Sequence, residues 1–477
     1  MDLVVKRVKK PTRMLSGVTV VAIMTKPFPC PHGRCIYCPG GVSWGTPQSY
    51  VRESPAVMRA RRFNYDPYSQ VFHRLKQYIA MGHRPSKVEL IVMGGTFPAM
   101  PLDYQRWFIA QALEAMNRFP NERRVDNVSL EEAKWRNEKA RIRCVGLTIE
   151  TRPDWALERH IDNFLDLGAT RIEIGVQSIY EDVLKVIKRG HGVDVVVRAT
   201  QLLKDAGYKV LYHLMPGLPG SDLDRDLEMF KRIFEDPAFR PDMLKIYPTV
   251  VVPGTELYRM WKRGEYKAYT SEELIELLLK VLEIIPPYVR VMRIQRDIPM
   301  KYIVAGLDIG NLREVLQREA LIRGIRIREI RYREIGRYLL RHGVPLKLNL
   351  KLNRYYYEAS GGTEVFLSIE DPRVDVLIAF LRLRIPSEYA HRWEVDRRTA
   401  IIRELHVYGP QVPIGEYSLW WQHRGYGKRL LAEAERIALE EFDCRRILVI
   451  SGVGAREYYR KFGYEVLPGS FYMYKYV

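Results

Sequence analysis

Three of the five cysteines lie within nine residues of one another, in the segment Cys30-Pro-His-Gly-Arg-Cys35-Ile-Tyr-Cys38. The other two, Cys144 and Cys444, are distant in sequence. A secreted disulfide framework would spread an even number of cysteines over a shorter chain, so this pattern predicts a reduced compartment and a metal site. Three thiolates in a short loop can hold three irons of a four-iron cluster. The fourth iron is then free to bind a substrate's amino and carboxylate groups.

The main alternative metal is structural zinc, which usually takes four ligands, often from two Cys-x2-Cys pairs. The chain has one such pair, Cys35 and Cys38, and His32 is a candidate fourth ligand. Cysteines that bind no metal are a third interpretation. Cys144 falls inside an apolar run, which favours a small buried side chain over a ligand.

A second candidate site lies near the C-terminus, where Gln422-His-Arg-Gly-Tyr-Gly427 precedes a helical pattern over 428–442. A Gly-x-Gly turn before a helix can present successive backbone N–H groups at the positive helix end, which suits a pyrophosphate. Strand patterns over 400–408 and 447–451 flank this segment. Tyr458 and Tyr459 follow, and ordinary helix packing is the alternative explanation for these two rings.

The elements that must position these residues are seven β-branched apolar runs separated by helix-length segments. The runs cover residues 18–24, 88–93, 144–149, 171–176, 210–215, 243–251 and 289–294. Such alternation predicts a parallel sheet covered on both faces, which can close fully or partly into a barrel. Five of the runs lead into unusual segments: the cysteine loop, Gly94-Gly95-Thr96, Glu150, Gln177 and Met215-Pro-Gly. Because parallel strands end at one face, these segments are predicted to form one site.

Composition limits the class of protein. A chain of 477 residues exceeds one ordinary core, so two domains are expected. The hydrophobic fraction of 47% and the charged fraction of 28% are those of a soluble globular protein. The apolar runs are much shorter than the roughly 20 residues that span a bilayer, and no signal-peptide core follows the first residues. We therefore expect a cytoplasmic location and no membrane association.

The net charge is +19, from 76 basic and 57 acidic residues. Such a surplus favours a polyanionic partner, with a generally basic surface as the alternative. Seven arginines between residues 321 and 341, followed by Tyr355-Tyr356-Tyr357, form either a nucleic-acid surface or the solvated faces of local elements. The Arg59-Ala-Arg-Arg62 segment near the cysteine loop is a candidate phosphate contact.

The cysteine loop resembles that of the radical S-adenosylmethionine superfamily, and the strand, Gly-x-Gly and Tyr459 segments resemble a GNAT-type N-acetyltransferase. This pairing, with Arg403-Glu-Leu-His-Val-Tyr-Gly409 and Ile450-Ser-Gly-Val-Gly454, resembles the Elongator catalytic subunit family over nearly the whole chain. The implied fold class is α/β: a partial parallel TIM-like radical S-adenosylmethionine barrel, then a GNAT-type α/β domain. The expected domains are 1–300, with the cluster loop at 30–38, a linker at 301–325, and the acetyltransferase domain at 326–477.

The resemblance implies three cofactors: a 4Fe-4S cluster, S-adenosylmethionine and acetyl-CoA. Cys30, Cys35 and Cys38 would ligate the cluster. The residues implied for S-adenosylmethionine are Tyr37 beside the adenine, Gly94, Gly95 and Thr96 at the methionyl amino group, and Glu150 and Gln177 at the ribose or methionine. Those implied for acetyl-CoA are Glu404, Leu405, His406 and Val407 by backbone contacts, the loop residues Gln422, Gly425, Tyr426, Gly427 and Lys428, and also Lys87 and Tyr459. Tyr459 would lie near the thioester sulfur and protonate the leaving thiolate.

The implied activity transfers the acetyl-derived carboxymethyl group from acetyl-CoA to carbon 5 of the wobble uridine in the anticodon stem-loop of tRNA. A radical suits an unactivated methyl group, and the thioester provides a hydrolysable handle. Two alternatives stay open: a protein lysine acetyltransferase with a structural iron–sulfur domain, and a tRNA-binding scaffold without catalysis. Action alone or as a homo-oligomer stays open beside membership of a six-subunit complex.

Two positions depart from the family pattern. Only four residues separate Cys30 from Cys35, where most family members have a longer insertion. Ile327 stands where a family segment commonly has a cysteine. Because an isoleucine side chain cannot bind a metal, any zinc site of the linker is predicted to be absent or altered.

Overall fold

Two seven-stranded sheets, one after the other along the chain, form the framework of the protein. The structure, a computed structural model, describes residues 9–121, 123–343, 347–416 and 421–477. The strands of the first sheet are β1 (Thr19–Met24), β2 (Lys87–Met93), β3 (Arg143–Thr151), β4 (Arg171–Gln177), β5 (Lys209–Leu214), β6 (Met243–Ile246) and β7 (Arg290–Ile294). They lie side by side in chain order, and every neighbouring pair is parallel. Within the described ranges β1 and β7 do not pair, so the sheet is a partial barrel.

Helices occupy the connections between these strands, and one more follows β7. They are α1 (Pro55–Arg62), α2 (Pro67–Ala80), α3 (Leu102–Arg118), α4 (Leu130–Asn137), α5 (Glu158–Leu167), α6 (Glu181–Val186), α7 (Val193–Asp205), α8 (Leu223–Glu235), α9 (Glu256–Lys262), α10 (Ser271–Ile284) and α11 (Leu312–Ile322). Side chains next to a helix can cap its N-terminus. At the start of α2, for example, the Asp66 side chain accepts a hydrogen bond from the Ser69 N–H. All seven residues of β4 are buried, because helices and loops cover both faces of the sheet.

Six of the seven predicted strands match the structure to within two residues at each end. The run over 243–251 was predicted too long, because β6 ends at Ile246. Pro248 has no N–H to donate to a sheet ladder, which explains the early end. The chain beyond it makes only an isolated bridge, between Val251 and Ala305.

The second sheet is mainly antiparallel and contains the C-terminal strands. They are β8 (Lys351–Ala359), β9 (Gly362–Asp371), β10 (Val376–Ile385), β11 (Thr399–Val407), β12 (Arg446–Val449), β13 (Glu465–Val466) and β14 (Met473–Tyr476), in the order β13-β14-β12-β11-β10-β9-β8. The pair β11–β12 is parallel. Four further helices are α12 (Ile330–Arg333), α13 (Ile335–His342), α14 (Tyr426–Glu440) and α15 (Arg456–Arg460). The predicted strand, helix and strand around the Gly-x-Gly segment are confirmed as β11, α14 and β12.

A buried set of charges, the interface network, joins the two halves of the molecule. Its members are Lys204, Asp205 and Asp242 from the first half and Glu364, Arg382, Arg384, Arg403 and Glu404 from the second. Arg403 lies 2.6 Å from Asp242 and 2.7 Å from Glu364. One apolar core also runs through both halves. The domain boundaries at residues 300 and 325 stay a prediction.

None of the helices in the described part of the chain has the length and apolarity that a bilayer crossing requires. Ile327 is buried in the apolar core that the two halves share.

Candidate functional site

The cysteine loop follows β1 and is folded by short turns of its own backbone. The Gly33 N–H donates to the Cys30 carbonyl, and the Cys38 N–H donates to the Cys35 carbonyl, each at 3.0 Å. Cys35 and Cys38 are buried, whereas Cys30 is partly exposed, and none forms a disulfide. Burial, together with the neighbouring Cys35, raises the pKa of the Cys38 thiol to about 12. A bound cation would favour the thiolate that burial disfavours.

The donor set fits an iron–sulfur cluster better than a single zinc ion. In a tetrahedral zinc site, sulfur atoms 2.3 Å from the metal lie about 3.8 Å apart. Within the described ranges, the one group of three His, Cys, Asp or Glu side chains whose ligand atoms lie within 4.8 Å of one another is Glu150, Glu173 and His213. The three thiols are therefore too far apart for one zinc ion, and a larger cluster is compatible with their spacing.

Basic and polar side chains surround the thiols. The Thr96 hydroxyl lies 3.6 Å from Cys30 Sγ, and a guanidinium N–H of Arg189 lies 3.6 Å from Cys35 Sγ. His32 Nε2 is 3.2 Å from Cys35 Sγ, but its Nδ1 is buried without a partner in the described structure. Arg189 is buried and was not singled out from the sequence, because no motif links it to the cysteines 150 residues earlier.

The three cysteines line one cavity, the cysteine cavity, together with most of the residues expected to contact S-adenosylmethionine. These are Tyr37, Gly95, Thr96, Glu150 and Gln177. Gln177 has a positive φ of 70°, and its Oε1 atom is buried with no partner in the described residues. A buried carbonyl without a hydrogen bond is able to accept one from a polar ligand group.

Gly94 is placed differently, because it does not line the cysteine cavity. Its φ is 142°, and a Cβ there would lie 2.0 Å from the Thr25 hydroxyl. The residue therefore allows the chain to pass close to Thr25, and the cavity wall is formed by Gly95 and Thr96.

Glu150 is fixed by partners on two neighbouring elements. Its Oε1 accepts from Lys245 Nζ at 2.9 Å, and its Oε2 accepts from the Tyr50 hydroxyl at 3.1 Å. Lys245 also contacts Glu173, which in turn lies 3.0 Å from His213 Nε2. The sequence does contain a signal for Lys245, since it is a charged residue within the apolar β6.

A second and much larger cavity, about 1280 Å³, lies between the partial barrel and the second sheet. We refer to it as the large cavity. One wall comes from a split in the second sheet: β12 pairs with β11 only as far as Ile402, whereas β10 accompanies β11 to Val407. Glu404, Leu405, His406 and Val407 line the cavity from this splayed strand. An extended ligand can therefore meet the free backbone groups of β11.

The N-terminus of α14 forms another wall of the large cavity. Gly425, Tyr426, Gly427 and Lys428 all line it, as Gln422 does. Gly425 has a φ of 83° and no side chain caps the helix, so the first N–H groups are available to an anion. A Cβ on Gly427 would lie 2.2 Å from the Tyr458 hydroxyl, so a larger residue at this position would have to displace the Tyr458 ring.

Lys87 and Gln422, which lie far apart in sequence, contact each other at the same cavity. Lys87 Nζ donates to Gln422 Oε1 at 2.7 Å. Burial lowers the pKa of Lys87 to about 8, and the described residues provide no carboxylate partner for it. The Gln422 amide also donates to the Val407 carbonyl at 2.9 Å.

Tyr458 and Tyr459 both line the large cavity. Burial raises the pKa of Tyr458 to about 12, and burial together with Tyr458 raises the pKa of Tyr459. Both phenols therefore keep their protons at neutral pH, as a proton donor must. Sequence reasoning singled out Tyr459, and the structure places Tyr458 in the same wall.

The two cavities are adjacent, because Glu150, Arg293 and Asp297 line both of them. A ligand group in the large cavity therefore comes close to the cysteine cavity without crossing the apolar core. Neither Arg293 nor Asp297 was singled out from the sequence.

The structure divides the arginine-rich segment between different surroundings. Arg331 and Arg337 line the large cavity. Arg333 is buried and paired with Glu370 and Asp375. The tyrosine run is divided too: Tyr357 is buried and stacks on Tyr288, whereas Tyr355 and Tyr356 are exposed. In the segment 59–62, Arg59 lines the large cavity.

Three family models match the chain. The Radical SAM superfamily model matches residues 27–233, and the Radical_SAM C-terminal domain model matches residues 241–321. The Acetyltransferase (GNAT) family model matches residues 344–464. These matches and the two sheets confirm the predicted fold class.

Relatives match over nearly the whole chain. A protein of Methanocaldococcus jannaschii named tRNA uridine(34) acetyltransferase is 54% identical, covering 98% of this chain and 86% of that protein. Elongator complex protein 3 of Homo sapiens is 46% identical, covering 96% of this chain and 84% of that protein. The solved structure of Methanocaldococcus infernus Elp3 without residues 1–46 is 49% identical, with a TM-score of 0.84, and covers 97% of this chain and 100% of that one.

Proposed function

The chain belongs to the family of tRNA uridine(34) acetyltransferases and Elongator complex protein 3, and from this premise we propose that it modifies the wobble uridine of tRNA. The finer proposal is that it transfers the acetyl-derived carboxymethyl group of acetyl-CoA to carbon 5 of that uridine. One C–H bond of the acetyl methyl group and the C5–H bond of the uridine would be replaced by one C–C bond. The methyl hydrogen would be taken up in 5′-deoxyadenosine formed from S-adenosylmethionine, C5 would lose its hydrogen as a proton and one electron, and water would cleave the thioester to release CoA. The acceptor lies in the anticodon stem-loop.

The observation that supports this proposal is the adjacency of the two cavities at Glu150, Arg293 and Asp297. A radical reaction between an acyl group and a base requires both to lie beside the site where the radical forms. The large cavity has room for an acyl carrier and a base, and it ends at the residues that also line the cysteine cavity.

On the barrel side, Cys30, Cys35 and Cys38 would hold a 4Fe-4S cluster. When bound, the cluster with S-adenosylmethionine supplies a radical that can take a hydrogen atom from an unactivated methyl group. The unpartnered Gln177 carbonyl and the Thr96 hydroxyl provide polar contacts for the amino acid portion. Lys245 and Tyr50 hold the Glu150 carboxylate toward the point where the cavities meet.

On the second-sheet side, the free edge of β11 would bind the pantetheine arm and the N-terminus of α14 the pyrophosphate. Lys87, protonated at neutral pH, contributes a positive charge to the same pocket. Tyr459 keeps its proton at neutral pH and can give it to the thiolate that leaves when the thioester is cleaved.

The test is anaerobic incubation of the reconstituted protein with tRNA, methyl-labelled acetyl-CoA, S-adenosylmethionine and dithionite, followed by mass spectrometry of the wobble uridine. We expect a labelled carboxymethyl group that requires S-adenosylmethionine. Cys38→Ala should lose the product together with about four irons per chain, whereas the matched control Cys444→Ala keeps both.

Two results would contradict the proposal. Label in peptide lysines with none in tRNA would indicate a protein lysine acetyltransferase instead. A colourless protein with one bound zinc ion and no iron would exclude the radical reaction.

A further inference from the structure

Three arginines form one face of the large cavity: Arg290 from β7, Arg331 from α12 and Arg337 from α13. We refer to them as the arginine wall. They come from the last barrel strand and the two helices α12 and α13 that follow it, and neither the expected coenzyme contacts nor the cluster loop includes them.

The arginine wall contains more positive charge than its surroundings neutralise. Arg290 and Arg337 share one carboxylate, that of Glu334, at 2.9 and 3.2 Å. Arg331 donates to the Met292 carbonyl at 2.9 Å and has no carboxylate within ion-pair distance in the described structure. The other nearby carboxylate, Glu329, accepts hydrogen bonds from the backbone N–H groups of Val291 and Arg331.

The electrostatic consequence is visible at Arg331. Burial, together with the neighbouring Arg313 and Arg337, lowers the pKa of this guanidinium to about 9. A desolvated cation without a counterion is unfavourable, so an anion in the cavity would stabilise the folded protein.

A second set of arginines lines the same cavity: Arg13, Arg59 and Arg74. None of the three forms an ion pair with a carboxylate of the described residues. Burial lowers the pKa of Arg59, and Arg74 and Arg13 lower it further. The cavity therefore has positive charge on two groups of elements. An RNA strand carries a phosphate on each side of every base, which fits such a distribution.

We propose that the arginine wall binds a backbone phosphate next to the RNA base that enters the large cavity. This inference rests on the proposed function, since it takes RNA as the substrate. Guanidinium groups suit phosphate because their N–H groups match two oxygens at once. Acetyl-CoA also carries phosphates, but the uncapped N-terminus of α14 already provides a place for its pyrophosphate.

The test compares the wild type with Arg331→Met and with Arg328→Met, a matched control in the same segment that is exposed and does not line the cavity. The affinity for an anticodon stem-loop RNA is measured over a range of salt concentrations. For Arg331→Met we expect weaker RNA binding. The slope of log K against log[salt], which is negative, should become shallower by about 1 because one phosphate contact is lost. Arg328→Met should bind as the wild type does. Arg337→Gln, at a less buried position, should repeat the effect if Arg331→Met folds poorly.

Acetyl-CoA binding to the same variants identifies the source of the phosphate. Unchanged acetyl-CoA affinity in Arg331→Met, with a reduced RNA slope, supports the proposal. An unchanged RNA slope, or a loss confined to acetyl-CoA affinity, overturns it. These measurements need no turnover, so a protein that shows the slope change but leaves uridine unmodified would contradict the proposed function and not the phosphate site.

Discussion

The interface network, which is buried, and the arginine wall, in which Arg331 and Arg337 are partly exposed, are both rich in arginine, but they differ in how their charges are balanced. The interface network pairs four basic groups, Lys204, Arg382, Arg384 and Arg403, with four acidic groups, Asp205, Asp242, Glu364 and Glu404. In the arginine wall Arg290 and Arg337 share the carboxylate of Glu334, and Arg331 has no carboxylate within ion-pair distance in the described structure.

The pKa values show the same contrast. Although burial alone would lower it, Asp242 and Glu364 hold the pKa of Arg403 above its ordinary value. At Arg331 burial and neighbouring arginines act in the same direction and lower the pKa. A buried cation that is fully paired stabilises a fixed arrangement of the chain, whereas one that lacks counterions is suited to binding an anion. The network therefore holds the two halves together, and the wall belongs to the binding cavity.

The largest expected effect is a loss of stability when the interface network is disrupted. Arg403→Met leaves Asp242 and Glu364 buried with fewer partners, and we expect the free energy of unfolding to fall by about 3–5 kcal/mol. Chemical denaturation followed by circular dichroism measures it. Arg398→Met, whose partner Asp443 lies 3.6 Å away on the surface, is the control and should cost less than about 1 kcal/mol. Equal losses in the two variants would mean that the network does not hold the halves together.

How well sequence anticipates these regions depends on where the interacting residues lie. The barrel strands were predictable because a parallel sheet buried on both faces gives continuous apolar runs. Part of the cysteine cavity was predictable because the expected residues lie at or just after the end of such a run, whereas Arg189, Arg293 and Asp297 were not singled out. The interface network was not, because Lys204, Asp242 and Arg403 are brought together only by the packing of the two halves. Likewise, the arginine-rich segment could not be interpreted from its charges, since the acids that neutralise Arg333 lie on β9 and beyond it.

A second prediction concerns Lys87, another cation of the large cavity without a carboxylate partner. Burial lowers its pKa to about 8, so it is mainly protonated below that pH and loses its charge above it. The affinity for acetyl-CoA should therefore be highest below pH 8 and fall as the pH rises through 8, by up to tenfold per pH unit. Isothermal titration calorimetry between pH 6.5 and about 9.5 measures this dependence.

Two variants test whether Lys87 is the group that causes this pH dependence. Lys87→Arg keeps its charge over the whole range, so its acetyl-CoA affinity should stay level through pH 8. Lys87→Met should bind weakly and also without pH dependence. A wild type that loses no affinity between pH 7 and about 9.5 would show that the charge of Lys87 does not contribute to acetyl-CoA binding.

The smallest expected effect is the stability change on removing the unbalanced charge. Arg331→Met eliminates repulsion with Arg313 and Arg337 and retains an apolar side chain, at the cost of one hydrogen bond to the Met292 carbonyl. We expect the free energy of unfolding to change by less than about 1 kcal/mol, in either direction. Arg290→Met is the matched variant within the wall, and it should be more destabilising because it removes a partner from buried Glu334. If Arg331→Met costs as much as Arg403→Met, then Arg331 is a structural residue, and the difference in charge balance does not distinguish a binding surface from an interface.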